Sequence, residues 1–402
     1  MAQFHEQFRT IQSYWTNPQW LAGRMLFLSG SRQVGKTTLV TSTLCHSKDS
    51  YFNWDDRRVR MDYQKNPDFF VGTDSKWICF DEIHKRPRWK DILKGVYDVY
   101  KNRYHFVITG SARLDLFKKS GDSLVGRYFH TQLFPLQLPD FHQTDFQLPE
   151  SPHTLIEKAA DLKDSPSLED LLSRSGFPEP FFSGNETFWK RWSLNHRDLI
   201  LTEDLRDLSK IVEVDKVGLL LEMIQPSIGS TLSYLKLGKD LETSHTTIKR
   251  WLEMLAKVEL AFSVSPYSKK IRRSFKQERK WFYTDWRAAS VGRFENFVAS
   301  ALHRAVSLYT DRFGEKMSLH YVRTHDGAEV DFLVCKNKTP WLLVEAKEGG
   351  TEISSGVYRF ARELKVPCAV VTLKKNFYKK IQGREGQTIY CISWAKLGQL
   401  LP

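Results

Sequence analysis

Spaced cysteine pairs are missing from this chain. Its five cysteines, Cys45, Cys79, Cys335, Cys368 and Cys391, are scattered, with no CxxC pair. That argues against a disulfide framework or a zinc site and makes a reducing cytoplasm the expected setting. Long apolar runs are missing too. None approaches the ~18 residues that span a bilayer, so no membrane span is expected. The opening MAQFHEQFRT lacks the apolar stretch of a secretion signal. No internal repeat or low-complexity tract interrupts the sequence. Acids are in deficit, 47 Asp and Glu against 60 Lys and Arg, which leaves a formal charge of +13 and a pI near 9.3. That balance favours a polyanionic partner, nucleic acid first and an acidic membrane surface second. A generally basic surface is the plainer alternative.

What is present is ordinary in bulk: 41% apolar and 27% charged over 402 residues, enough for about two to four domains with buried cores. RMLFLSG (24–30), SYFNWDD (50–56), KWICFDE (76–82), YHFVITG (104–110) and YFHTQLFPL (128–136) read as strands. Helical patterns such as KTTLVTSTLCH and WKDILKGVYDVYKN lie between them. Strands alternating with helices predict a parallel sheet covered on both faces. The alternation stops near Phe141. Residues 143–168 are polar and proline-punctuated and read as a linker or domain boundary; 169–225 read as mainly helical. We therefore expect an α/β domain over 1–142, a helical lid or linker over 143–225, a third unit over 226–284 and an α/β domain over 285–402.

The stretch GSRQVGKTT follows a strand and opens a helix, the context in which GxxxxGK[ST] binds phosphate. Gly30, Arg32, Gln33, Val34, Gly35, Lys36, Thr37 and Thr38 form the expected cradle. The glycines let main-chain N–H groups turn inward, and the helix N-terminus adds its positive end. Lys36 would reach the β- and γ-phosphates of ATP, and the Thr37 hydroxyl would bind Mg2+. The strand WICFDE delivers Asp81 and Glu82 to the carboxyl end of the sheet. Asp81 is expected to hold Mg2+ and Glu82 to polarise the attacking water. VITGSA ends a strand in Thr109 and Ser111, hydroxyls suited to sensing the γ-phosphate or holding the water. Arg127, in SLVGRY, is a candidate for stabilising transition-state charge, in this subunit or a neighbour.

In this order the motifs carry a resemblance. GSRQVGKTTL, the YFNWDD strand, CFDEIHKRPRWKDILK, VITGSARLDLF, SLVGRYFHTQLFPLQLPDF, FENFVASAL and EVDFLV…VEAK resemble the prokaryotic AAA-type ATPases of the AAA_14 kind with a C-terminal DUF4143 region. The similarity runs from about Arg24 to beyond Lys347. Ser31 departs from the more usual proline, and Trp54 from a small aliphatic residue; neither removes a ligand. The resemblance implies ATP binding and hydrolysis.

Two further constellations lie downstream. LKLGKDLETSHTTIKRWLEMLAKVEL has the architecture of a winged helix. Thr243 or Ser244 would cap its second helix, which would present His245, Thr247, Lys249 and Arg250 to DNA. The basic run SKKIRRSFKQERK (268–280) would form the wing. Packing between domains is the alternative role. In GAEVDFLVCKNKTPWLLVEAK (327–347) a hairpin can bring Asp331 beside Glu345, and Lys347 shares a face with Glu345. Neighbouring carboxylates repel unless a cation joins them, and a divalent metal would serve. D-x(13)-E-x-K after a helix bearing Glu295 resembles the PD-(D/E)xK nuclease fold of restriction endonucleases. That resemblance implies Glu295, Asp331 and Glu345 as metal ligands and Lys347 as catalytic. An ion-paired hairpin, or the same fold used for docking, remains the alternative.

The expectation is a cytoplasmic Mg2+-dependent ATPase acting on DNA, with a P-loop sheet, helical lid, winged helix and restriction-endonuclease-like domain, working as a ring or dimer. The alternative is a non-nucleolytic regulator or a STAND-like switch with a protein partner.

Overall fold

The computed structural model describes residues 9–15, 18–45, 47–110, 124–142, 146–205, 213–268, 278–383 and 385–402. Its first sheet contains β1 (Met25–Gly30), β2 (Tyr51–Asn53), β3 (Trp77–Asp81), β4 (His105–Thr109) and β5 (Tyr128–Leu133). The order is β2-β3-β4-β1-β5 and every pairing is parallel. β1 is buried along its whole length, as a strand covered on both faces must be. Its alternate residues serve two cores. Leu26 and Leu28 pack with Leu39 and Val40 of the helix Lys36–Thr43. Met25 and Phe27 join Trp89 and Leu93 of the helix Trp89–Tyr100 and the rings of Phe70, Phe80 and Phe106. Because β4 lies between β1 and β3, the carboxyl ends of all three meet at one edge.

Residues 143–168 contain more structure than a linker, though 143–145 lie outside the described residues. A helix runs Pro152–Ala160 with Ser151 as its N-cap, and another runs Ser167–Arg174 after Pro166. The prolines there mark helix starts rather than breaks, since Pro is well suited to a first turn where its missing N–H costs nothing. The first helix docks on the C-terminal region: Lys380 pairs with Glu157 at 2.8 Å, and His153 Nδ1 lies 2.8 Å from the Tyr390 hydroxyl. Helices Glu186–Leu199 and Val214–Met223 follow.

Next come the helices Tyr234–Asp240 and His245–Lys257, then the antiparallel pair β6 (Ala261–Pro266) and β7 (Lys280–Tyr283). This hairpin does not stand free. β6 also pairs in parallel with β8 (Met317–Arg323). It thereby extends a sheet that contains β9 (Glu329–Lys336), β10 (Thr339–Lys347), β11 (Cys368–Thr372), β12 (Tyr378–Gln382) and β13 (Thr388–Ser393), in the order β12-β13-β11-β10-β9-β8-β6-β7. The helix Arg293–Phe313 packs against this sheet, and its Arg304 reaches back to the first domain. Arg304 Nη1 and Nη2 hold Asp140 at 2.6 and 2.8 Å. The Thr10 N–H donates to the same carboxylate at 2.8 Å. Both charged partners are buried.

Candidate functional site

The loop after β1 closes tightly. Gly30 has φ +153° and a Cβ there would overlap the Leu133 carbonyl oxygen; Gly35 has φ +99° and begins the helix. Both positions need glycine. Lys36 donates to the carbonyl oxygens of Gly30 at 2.8 Å and Ser31 at 2.9 Å, so its ammonium spans the loop. Burial pushes its pKa down, opposed by the carboxylates of Glu259, Glu82, Asp81 and Asp204. Val34 turns its side chain into the core.

Opposite the loop, the register sets Asp81 of β3 against Thr109 of β4. The hydroxyls of Thr109 and Tyr51 donate to the two oxygens of Asp81, and the Thr37 hydroxyl donates at 3.3 Å. Glu82 has φ +57°, a left-handed conformation unusual for a non-glycine residue. Its N–H donates to the Thr109 carbonyl at 3.0 Å. Its carboxylate lies 3.4 Å from Lys85 Nζ and 3.5 Å from His84 Nε2. Burial raises its pKa, and Lys85 opposes the rise. Arg32, Gln33, Gly35, Lys36, Thr37, Thr38, Asp81 and Glu82 thus line one cleft of about 570 Å³, with Asn53, Asp55, Lys85, Pro178 and Glu179. The oxygen donors of Thr37 and Asp81 suit a hard cation such as Mg2+.

Two expected residues have partners of their own. Arg32 is held by Asp204 at 2.6 Å and Glu203 at 2.8 Å, at the end of the long helical segment, while His196 Nε2 sits 3.0 Å from the Arg32 carbonyl oxygen. Arg127 precedes β5, whose Tyr128 pairs with Met25 and whose Leu133 pairs with Gly30. It therefore lies roughly 17 Å of strand away from the loop, at the opposite edge, bonded to Asp98 at 2.9 Å. Within one chain the fold does not bring it to the cleft. Ser111 lies outside the described residues.

On the helix His245–Lys257, Ile248, Trp251, Leu252 and Leu255 are buried, the stripe of an amphipathic helix. Ser244 is the cap, accepting from the Thr247 N–H at 3.1 Å. His245, Lys249 and Arg250 are exposed, and Thr247 is half-buried. Residues 269–277 of the expected wing lie outside the described residues.

The C-terminal hairpin does bring Asp331 opposite Glu345: Val344 pairs with Phe332. There the side chains take over the ladder. The Asp331 N–H donates to Glu345 at 3.3 Å, and the Ala346 N–H donates to Asp331 at 2.9 Å. Lys347 Nζ is 2.9 Å from Glu345, and Glu295 arrives from the first turn of its helix. Burial, with the carboxylates of Glu295 and Glu345, pushes Asp331 up to about 8. Burial raises Glu295 as well. The cation in this corner is Lys280, at the head of β7 and 1% exposed. Its Nζ lies 2.5 Å from Glu329, 3.6 Å from Glu295 and 3.8 Å from Asp331. Among the described residues no three acid, imidazole or thiol groups converge to hold a metal ion. The hairpin and the helix nonetheless bring the expected set Glu295, Asp331 and Glu345 to one corner. An ammonium stands among the acids, and the corner as built does not fit a metal.

Residues 22–142 match the family model of an AAA domain. With the loop geometry and the five parallel strands, the match supports a P-loop ATPase domain. Residues 165–286 and 292–395 match two domains of unknown function, DUF8612 and DUF4143. The chain is similar to an uncharacterized protein of Methanocaldococcus jannaschii, 24% identical over 387 residues, 90% of this chain and 85% of that one. An uncharacterized protein of Mycobacterium tuberculosis is 22% identical over 261 residues, 65% of this chain and 54% of its own length. Among solved structures, the Aeropyrum pernix ORC1 protein in complex with DNA aligns with a TM-score of 0.32 and 14% identity, over 69% of this chain and 88% of that one. The Thermotoga maritima RuvB Holliday junction branch migration motor aligns with a TM-score of 0.28 and 14% identity, over 60% and 81%. Likenesses this loose assign no role to any residue. No described helix is long and apolar enough to cross a membrane.

Three residues escaped the sequence reading. Tyr51 binds Asp81 because β2 pairs with β3, an adjacency one sequence does not reveal. Asp204 clamps Arg32 from 172 positions away. Lys280 closes a basic run and opens the apolar KWFY; a lysine heading a buried strand was the available signal.

Proposed function

We propose that this chain is an ATPase that hydrolyses ATP in the Lys36–Asp81–Glu82 cleft and uses the cycle to act on DNA. The observation that carries the reading is the convergence of Lys36, Thr37 and the hydroxyl-held Asp81 at the carboxyl edge of one parallel sheet. Main-chain amides of the loop would receive the triphosphate, and Lys36 would exchange two neutral carbonyl partners for charged phosphate oxygens, a stronger bond. Thr37 and Asp81 would hold Mg2+, which supplies charge neutralisation on the phosphates. Glu82, made more basic by burial, accepts a proton from the attacking water as its oxygen bonds to the γ-phosphorus and the bridging oxygen leaves with ADP. Arg127 would serve such a site only from a neighbouring subunit, in a ring or dimer.

DNA would lie against His245, Thr247, Lys249 and Arg250, drawn by the basic surface. The nuclease-like resemblance of the C-terminal domain would supply a shape for docking, with Lys280 among its acids. A nucleotide-gated switch with a protein partner is the second reading, favoured by the clamp of Asp204 and Glu203 on Arg32, which ties the helical region to the loop. Phosphate release measured with and without duplex DNA separates the two. The DNA reading expects stimulation that fades steeply with salt. Lys249→Ala with Arg250→Ala should weaken binding and lower the salt slope by about one per lost phosphate contact. Turnover indifferent to DNA at every salt concentration would favour the switch.

A further inference from the structure

We infer that the acidic corner of the C-terminal domain carries its own cation: Lys280 fills the space among Glu295, Glu329 and Asp331, and the corner binds no divalent metal. The inference concerns a different site from the nucleotide cleft and stands independently of it.

The lysine is anchored from both sides. Its backbone pairs with Val264 of β6 and bridges to Thr231, so its Cα is fixed where the side chain must enter the corner. The ammonium lies over the Tyr321 ring, 5.4 Å from its centroid, and touches carboxylates from one helix and one strand. A buried ammonium demands such partners, and buried carboxylates demand a cation; each solves the other's desolvation. Glu295 Oε1 is buried and meets the ammonium at 3.6 Å, an ion pair without a hydrogen bond, while the facing acids are engaged elsewhere. Glu345 serves Lys347 and the Asp331 amide, and Asp331 accepts from Ala346. Gly229 packs so closely that a Cβ there would overlap the Glu295 carboxylate, which leaves that side chain little room to swing. Mg2+ asks for six oxygens near 2.0–2.1 Å in an octahedron, several of them water. It would also face a resident positive charge at about 4 Å. One lysine therefore joins the loop around Gly229, β7, the helix of Glu295 and β9 into an ion-paired joint.

The test counts Mn2+ bound to the nucleotide-free full chain, read from the spectrum of the free ion by electron paramagnetic resonance. Wild type and Asp331→Asn are expected to bind the same number. Lys280→Met should gain one ion per chain, and Lys280→Met/Asp331→Asn should lose it again. A wild-type ion that Asp331→Asn removes would overturn the inference. So would a Lys280→Met chain that melts cooperatively, binds ATP and gains no ion. If Lys280→Met does not fold, the comparison of wild type with Asp331→Asn decides alone: equal counts uphold the inference and a loss of one ion overturns it. ATP binding at Lys36 is read separately, so the ATPase proposal stands or falls on its own.

Discussion

At the scale of residues, the cleft is organised around one carboxylate. Asp81 faces hydroxyls from three segments: Thr37 of the loop helix, Thr109 of β4 and Tyr51 of β2. Tyr51 is half-buried and its hydroxyl stays protonated, because burial and the Asp81 charge both raise its pKa. Tyr51→Phe should therefore remove a bond to a charged acceptor, worth about 1.5–3 kcal/mol, without emptying the loop. A thermal melt should show a lower Tm, and the Mg2+ concentration giving half-maximal turnover should shift. An unchanged melt would mean that the hydroxyl contributes nothing. The P-loop residues were legible because their chemistry fixes their spacing. Lys280 was not, because its partners lie on a helix and another strand and its neighbours in sequence are basic.

At the scale of elements, the joint between the first sheet and the helix Arg293–Phe313 rests on Arg304 and Asp140. Arg304→Met strands a buried carboxylate and should cost about 3–5 kcal/mol, measured by denaturant unfolding. The same joint shapes the acid limb of stability. The Arg304 and Arg9 guanidinium groups outweigh burial and hold Asp140 at about 2. Its folded pKa is thus below the ordinary ~3.9, so its contribution is present above that value and lost as the pH falls toward 2. Burial lowers His196 and His303 to about 4, below the usual ~6.5. They stay neutral in the folded chain while the unfolded chain takes up protons, so stability declines as the pH falls from about 6.5 to 4. Two successive losses are expected in a pH series of melts, and Asp140→Asn should flatten the lower one. Strands and helices of the first sheet were legible from alternating patterns. The prolines after Phe141 misled, since the same residue that ends a helix also begins one.

At the scale of the molecule, the parts are less separable than the sequence suggests. The hairpin after the helix His245–Lys257 belongs to the C-terminal sheet through β6 and β8, and Arg304 ties that sheet's main helix to the first domain. Strand adjacency across some fifty residues leaves no periodic mark, so a sequence divides what the sheet unites. The nucleotide loop meets the middle region at Arg32, held by Asp204 and Glu203, and the C-terminal region meets it at Lys280. The central claim is that this cleft turns over ATP, and release of inorganic phosphate by the intact chain tests it most directly. Wild type should release phosphate in the presence of Mg2+, Glu82→Gln should bind ATP yet turn it over about 10²–10⁴-fold more slowly, and Lys36→Ala should do neither. Turnover undiminished by Lys36→Ala, or no ATP uptake by the wild type, would contradict the account.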